Sequence, residues 1–164
     1  MDEKQISALV EDVVRGIKGK SGCCGKHKMT LAKARALTAI VEERAREMGV
    51  NAVIAVADAG GNPVSVQAMD KAYLASWDVA LQKSYTVVAL KMSTAKLAKL
   101  AAPGGSLYGI QFTNQGKIVI FGGGEPLMAD GKIVGGLGVS GGTAEQDTAL
   151  AEYGKQKFKE ISEC

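Results

Sequence analysis

The only histidine in the chain, His27, is the residue best suited to bind a transition metal or a haem iron. An imidazole on an exposed stretch could ligate a haem iron, and it could equally be a solvated linker residue. Cys23 and Cys24 lie shortly before it, and the three residues could form a metal site. A tetrahedral site would need a fourth ligand from elsewhere, so a free, reactive pair of thiols is the favoured interpretation.

Two further side chains could take part in acid–base chemistry. Asp70 ends a predicted strand, and Lys83 lies within a predicted helix among apolar neighbours, so either could face a pocket. The other candidate carboxylates suit turns or the first turn of a helix. No nucleophile is spaced to meet a base, so the residues alone do not indicate an enzyme.

The segment from Gly136 to Gly141 matches the G-x-G-x-x-G pattern between a predicted strand and a predicted helix. A dinucleotide-binding fold needs a further strand after that helix and an acid about 20 residues on, and neither is predicted. The pattern therefore indicates at most an anion site at a helix N-terminus. Gly19-Lys20-Ser21 resembles a phosphate loop, but Val14 stands where that loop requires glycine.

Composition excludes several classes of protein. A chain of 164 residues with 46% hydrophobic and 23% charged residues suits one domain with a core. It contains no apolar run of the roughly 18 residues that a membrane span needs. Seven bases lie between Arg15 and Arg35, but aromatic residues are absent there, which disfavours nucleic acid as a partner. Three cysteines and no visible signal peptide favour a reducing, cytoplasmic location.

The pattern divides the chain into three parts. Residues 1–17 form a predicted amphipathic helix whose apolar stripe must dock on its own body or on a partner, and the stripe consists of Ile6, Leu9, Val10, Val13, Val14 and Ile17. Residues 18–29 form a linker rich in glycine and lysine, and residues 30–164 form the folded body.

The sequence pattern of the body predicts alternating helices and β-hairpins. A helix capped by Thr30 and ended by Gly49 precedes a strand pair at Asn51–Ala57 and Val64–Met69. Further predicted elements follow in order: a helix at Ala72–Met92, a short helix capped by Thr94, strands at Gly109–Thr113 and Ile118–Phe121, a hairpin turning at Asp130-Gly131, and a helix beginning at Thr143 with Gln146 in a capping box. Hairpin connections predict an antiparallel sheet covered by helices, which is an α+β fold.

Five segments of the body resemble the GlcG/HbpS family, and in particular the C-terminal domain of propanediol-utilization PduO proteins. They are VIAVADAGGNPVSVQAMD (53–70), ASWDVALQKSYTV (75–87), PGGSLYGI (103–110), IVIFGGGEPL (118–127) and GKIVGGLGVSGGTAEQD (131–147). The resemblance covers about Thr30 to Phe158.

The resemblance implies a profilin-like, three-layer α/β/α fold with an antiparallel sheet of about five strands. It also implies a homo-oligomer that binds haem or a corrinoid, with a histidine near the start of the domain as iron ligand. The adenosyltransferase activity of PduO belongs to a different domain and is not implied. We therefore expect the ligand site among these residues: His27 as the iron ligand, with Asp70, Lys83, Gly123, Gly124, Glu125 and Gly141.

Residues 1–17 resemble the encapsulation peptides of bacterial microcompartment cargo. The resemblance predicts a haem- or corrinoid-binding accessory protein that binds a shell protein and occupies the lumen of a diol-utilization microcompartment. Two alternatives stay open at this point. One is an enzyme that acts on a small oxyacid or aldehyde, and the other is a non-catalytic oligomeric scaffold recruited to the shell.

Overall fold

The computed structural model describes residues 28–162. The predicted N-terminal helix and nearly all of the predicted linker, including His27, lie outside these residues. The described part contains four α-helices, four strands and two short 3₁₀ helices: α1 (Leu31–Glu47), β1 (Val53–Asp58), β2 (Pro63–Ala68), α2 (Ser76–Ala89), α3 (Thr94–Leu100), 3₁₀ helices at Ile110–Phe112 and Asn114–Gly116, β3 (Gly124–Ala129), β4 (Lys132–Ser140) and α4 (Ala144–Ser162). In this part of the chain, no helix is long and apolar enough to cross a membrane.

The four strands form one antiparallel sheet in the order β2-β1-β4-β3. Two hairpins build it, and each turn has a local cause. Asp58 accepts hydrogen bonds from the backbone N–H groups of Gly60 and Asn62 at 2.8 and 2.9 Å, which closes the β1–β2 turn. Asp130 and Gly131 take the positive φ angles, 47° and 73°, that the predicted β3–β4 turn requires.

Helices cover both faces of the sheet. Helices α1 and α4 pack against one face, and the core on that side includes Leu37, Val41, Leu150 and Phe158. Helix α2 packs against the other face, where it lies directly on β4. A Cβ on Gly138 would lie only 2.1 Å from the carbonyl oxygen of Ala80. The α+β architecture predicted from the sequence is therefore present.

The helix boundaries follow the predicted caps closely. Thr30 accepts the N–H of Lys33 at 3.2 Å and begins α1, and Gly49 follows that helix with φ at 67°. Thr143 and Gln146 form the predicted capping box of α4, with bonds of 2.9 and 3.2 Å. Two predicted helix starts are displaced. The N-cap of α3 is Ser93, one residue before the predicted cap Thr94. Helix α2 begins at Ser76 and not at Ala72.

The expected number of strands is wrong. The resemblance implies about five strands, and the described residues contain four. The segment expected as two further strands, 109–121, contains the two 3₁₀ helices and an irregular stretch. Gly109 adopts a positive φ angle of 86° and Ile110–Phe112 form a 3₁₀ helix, which an extended strand at 109–113 does not allow. The N–H of Val119 bonds to the Thr86 hydroxyl on α2 at 3.1 Å, where a strand would bond to its neighbour.

Candidate functional site

Lys83 is the largest completely buried side chain in the described structure, with no exposed surface. Its ammonium group donates to the carbonyl oxygen of Val139 at 2.7 Å and to a carboxylate oxygen of Asp147 at 2.8 Å. The ring of Phe121 lies 4.8 Å from the same nitrogen, measured to the ring centroid. A lysine ammonium has three N–H donors, and these three contacts can satisfy all of them.

Asp147 reaches this position because it lies in the first turn of α4. Its second carboxylate oxygen accepts the N–H of Gly142 at 2.9 Å, so the same side chain caps the helix. Gly123 runs past the ion pair with φ at 109°, and a Cβ there would lie 2.6 Å from the Lys83 nitrogen. Only glycine fits this position, since a side chain would displace the ammonium group and adopt a strained backbone angle.

Burial lowers the pKa of Lys83, and the nearby Asp147 carboxylate opposes that effect by stabilising the charged form. Burying two charges costs hydration free energy, and their mutual attraction offsets only part of that cost. Separating the two charges would be costlier still, so the pair favours the one arrangement of α2, β4 and α4 in which they meet. Because Lys83 has no exposed surface, it lines no open pocket. Its role is to fix the positions of the groups it contacts, Val139 and Asp147.

The neighbouring predicted residues are buried in contacts within the protein. The N–H of Gly124 donates to the Thr94 hydroxyl at 2.9 Å. Glu125 is 4% exposed and pairs with Lys155 of α4 at 2.7 Å. The structure thus brings Lys83, Gly123 and Gly124 together. Glu125 belongs to a second ion pair, whose lysine lies on α4, the helix that also carries Asp147. Their predicted role in holding a ligand stays a prediction.

Gly141 lies elsewhere, in a cleft of about 200 Å³ between the end of β4 and the connection that follows β2. Other residues lining this cleft include Lys71, Tyr73 and Gln146. Asp70 is exposed beside Lys71, whereas Lys83 is fully enclosed, so these two predicted residues do not form one pocket.

The N-terminus of α4 is satisfied by its own side chains. The N–H groups of Gly142 and Thr143 donate to Asp147 and Gln146, each at 2.9 Å. The anion site suggested by the glycine pattern therefore competes with bonds that the chain already makes. Among residues 28–162, no group of three or more histidine, cysteine or acidic side chains is placed to hold a metal ion.

The sequence pattern missed the pairing of Lys83 with Asp147, although it singled out Lys83. Asp147 directly follows the predicted capping box, and from the sequence it is one of the carboxylates that suit the first turn of a helix. A lysine in an apolar stretch of a helix is itself a signal, because a buried ammonium requires an acidic partner. The partner is 64 residues away, and no local spacing identifies it.

The α+β fold described above agrees with a match to a family model: the HbpS-like model, described as haem degrading protein HbpS-like, matches residues 29–156. The chain belongs to this family. The resemblance identified from the five sequence segments is thereby confirmed.

Individual relatives extend this identification. A 15.0 kDa protein from the dhaT-dhaS intergenic region of Citrobacter freundii is 47% identical over 133 residues, which are 81% of this chain and 94% of that protein. The corrinoid adenosyltransferase PduO of Salmonella typhimurium is 42% identical over 116 residues, or 71% of this chain. The match spans only 34% of PduO, about a third of its length.

Solved structures show the same fold. Protein ORFY of Klebsiella pneumoniae aligns with a TM-score of 0.78 and 44% identity over 80% of this chain and 90% of its own. The PduOC:haem complex aligns with a TM-score of 0.76 and 38% identity over 79% and 94%. A double mutant of Streptomyces reticuli HbpS aligns with a TM-score of 0.72 and 27% identity over 84% and 88%.

Removal of the buried cation is expected to destabilise the fold strongly. Lys83→Met leaves Asp147 charged and without its partner, which costs about 3–5 kcal/mol of unfolding free energy. The double variant Lys83→Met/Asp147→Asn removes both charges and keeps the acceptor for Gly142, so it should recover most of that loss. Urea unfolding followed by circular dichroism measures both values. Equal stability of the single and double variants would contradict an energetic coupling between the two side chains.

The lowered pKa of Lys83 predicts a specific pH dependence of stability. Between the folded pKa and the ordinary value of about 10.4, the unfolded chain binds a proton that the folded protein has released. The unfolding free energy of the wild type should therefore rise with pH across this window, relative to Lys83→Met/Asp147→Asn. Urea unfolding of both proteins at intervals from pH 8 upwards tests the sign. A difference that stays constant or falls with pH would contradict it.

Proposed function

We propose that this protein binds haem and serves as an accessory protein, without itself carrying an adenosyltransferase activity. The observation that carries the proposal is the shared fold and 38% identity with PduOC, whose structure was solved as a complex with haem. The family description, haem degrading protein HbpS-like, supports the same ligand class. Haem would supply an iron centre that a histidine side chain could hold.

His27 is the proposed iron ligand, because the chain contains no other histidine. The methionines offer weaker alternatives. Met29 is 8% exposed and packs toward Gly135, and the sulfur of Met69 accepts the N–H of Ala52 at 3.4 Å. In the sequence, His27 precedes the buried Met29 by two residues.

The remaining needs of a haem are an apolar contact surface and positive charge for its propionate groups. Lysines flank His27 on both sides in the sequence, at positions 26 and 28. The irregular connection between α3 and β3 carries Tyr108 and Phe112, which are 66% and 83% exposed. Exposed aromatic side chains on a long connection are typical of a binding surface. The residues of this chain therefore fit the chemistry of the group.

Titration with haemin tests the proposal. Wild-type protein should give a saturable Soret shift with a defined stoichiometry, and His27→Ala should lose it or weaken binding at least tenfold. Gln156→Ala, an exposed position on α4, is the control and should bind as the wild type does. A parallel titration with cobalamin tests the corrinoid alternative, which the name of the PduO relative suggests.

Each outcome has a distinct meaning. A shift that survives in His27→Ala keeps haem as the ligand and overturns the assignment of His27. The absence of a shift in the wild type overturns haem binding. A saturable change with cobalamin alone would replace haem by a corrinoid.

We further propose that the protein is cargo of a diol-utilization microcompartment and that residues 1–17 bind a shell protein. The similarity to PduO over 71% of the chain and the apolar stripe of the predicted helix support this partner. Six aliphatic side chains, at about 1.5–3 kcal/mol each when fully buried, supply enough apolar energy for such a contact after ordering costs.

Charge placed on the stripe should abolish the contact with the shell. Leu9→Lys/Val13→Lys in the full chain introduces two charges into the predicted apolar face, whereas Gln5→Lys/Ala8→Lys adds the same charge outside it. Co-purification with shell proteins of the diol-utilization type should be lost in the first variant and kept in the second. Equal recovery of shell protein with both variants would refute the role of the stripe.

A further inference from the structure

One surface of the folded body carries positive charge that no acid in the same stretch of sequence balances. The chain contains no acidic residue between Asp78 and Glu125, although five lysines lie there. Lys83 is buried against Asp147, and the other four lysines are exposed. Among residues 28–162, no ion pair or side-chain hydrogen bond involves any of these four, which are Lys91, Lys96, Lys99 and Lys117.

The four lysines lie around the C-terminal end of α2. Lys91 comes just after that helix, and Lys96 and Lys99 share one face of α3, which packs against α2. The carbonyl oxygen of Lys117 accepts the hydroxyl of Thr86 in the last turn of α2 at 3.2 Å. Two exposed aromatic residues of the connection between α3 and β3 complete what we call the lysine–aromatic surface: Lys91, Lys96, Lys99, Lys117, Tyr108 and Phe112.

Residues 1–17 have the composition that complements this surface. They contain four acidic and two basic side chains, so their side-chain charge is −2. At 3.6 residues per turn, Asp2 and Glu3 lie on the side of the predicted apolar stripe, whereas Lys4 and Arg15 lie on the opposite side. A helix laid down by its stripe would therefore bring acids to the lysines and turn its own bases toward water.

The described part of the chain begins at the end of the sheet where Lys117 lies. The Met29 side chain lies 3.1 Å from the position of a Cβ on Gly135, beside the end of β1. The turn after β1 packs Gly61 against the ring of Tyr85, and Lys117 lies over that ring at 6.0 Å. The linker residues 18–27 span roughly 16–19 Å as a flexible coil and at most about 36 Å when extended. The stripe can therefore reach this surface of its own chain.

We propose that residues 1–17 dock as an amphipathic helix on the lysine–aromatic surface of the same chain. The stripe packs on Tyr108 and Phe112, and the acids of the segment face the lysines. The docking rests on neither the haem proposal nor the shell proposal. It competes with both, because a shell protein would take the stripe and haem would take the two aromatic side chains. The docked form is the state of the protein without these ligands.

Hydrogen exchange of the full chain, followed by mass spectrometry without haemin or shell protein, tests the docking. Residues 1–17 should exchange at least tenfold faster in Lys96→Glu/Lys99→Glu than in the wild type, because the reversed charges repel the acids. Adding Glu11→Lys/Asp12→Lys to that variant restores opposite charges and should slow the exchange again. Lys71→Glu/Lys159→Glu makes the same change of charge at two other exposed lysines and should behave as the wild type does.

Carbodiimide cross-linking identifies the contact directly. The reagent joins a carboxylate to a lysine amine as an amide, with loss of water and no spacer, so only groups in contact are joined. The wild type should give cross-links between the acids of residues 1–17 and the lysines of the surface. When unlabelled and ¹⁵N-labelled chains are unfolded and refolded together, these cross-links should join peptides that carry the same label.

Three results would overturn the docking. The first is equal exchange of residues 1–17 in the wild type and in Lys96→Glu/Lys99→Glu. The second is equal acceleration in the control variant Lys71→Glu/Lys159→Glu. The third is a set of cross-links that joins differently labelled chains as often as like ones. Failure of the earlier proposals has a different signature, since loss of the Soret shift or of shell co-purification in the wild type leaves the exchange difference unchanged.

Discussion

The ammonium group of Lys83 lies in the interior without exposed surface, so its charge must be balanced by neighbouring groups of the protein. Its contacts come from β4 through the carbonyl of Val139, from α4 through Asp147, and from the segment before β3 through the ring of Phe121. The ammonium group requires these partners to stay in contact, because a buried charge that loses its partner keeps its full desolvation cost. The relative positions of these elements follow from that requirement.

Helix α4 is consequently held at two points along its length. Asp147 fixes its first turn to α2 and also caps it through Gly142, and Lys155 pairs with Glu125 of β3 two turns further on. The two ion pairs differ in character, since the Lys155 side chain is 41% exposed and that of Lys83 is fully buried. Water reaches the Lys155 end of one pair and weakens it, although Glu125 is buried, whereas both ends of the Lys83–Asp147 pair are closed off from water.

Local features of the fold were predictable, and long-range ones were not. Thr30, Thr143 and the Asp130-Gly131 turn act within a few residues of themselves, so their sequence signals were sufficient. Two strands are predicted within the segment 109–121, but the segment contains two 3₁₀ helices, and the N–H of Val119 donates to the Thr86 hydroxyl of α2. The same limit applies to the site, where Lys83 was identifiable and its partner was not. The family resemblance supplied the ligand class, which the geometry of the described residues alone does not define.

The two faces of the sheet differ in how helices rest on them. On the α1/α4 side, interlocking side chains separate helix from strand, so a changed residue can be accommodated by its neighbours changing rotamer. On the α2 side, the main chain of β4 at Gly136 and Gly138 touches the main chain of α2. Backbone atoms cannot change rotamer to make room for an added methyl group, so a larger residue there would push the whole of α2 away from β4. In proteins with this architecture, substitutions should therefore be tolerated in the core beneath α1 and α4, whereas the residues where α2 meets β4 should vary little.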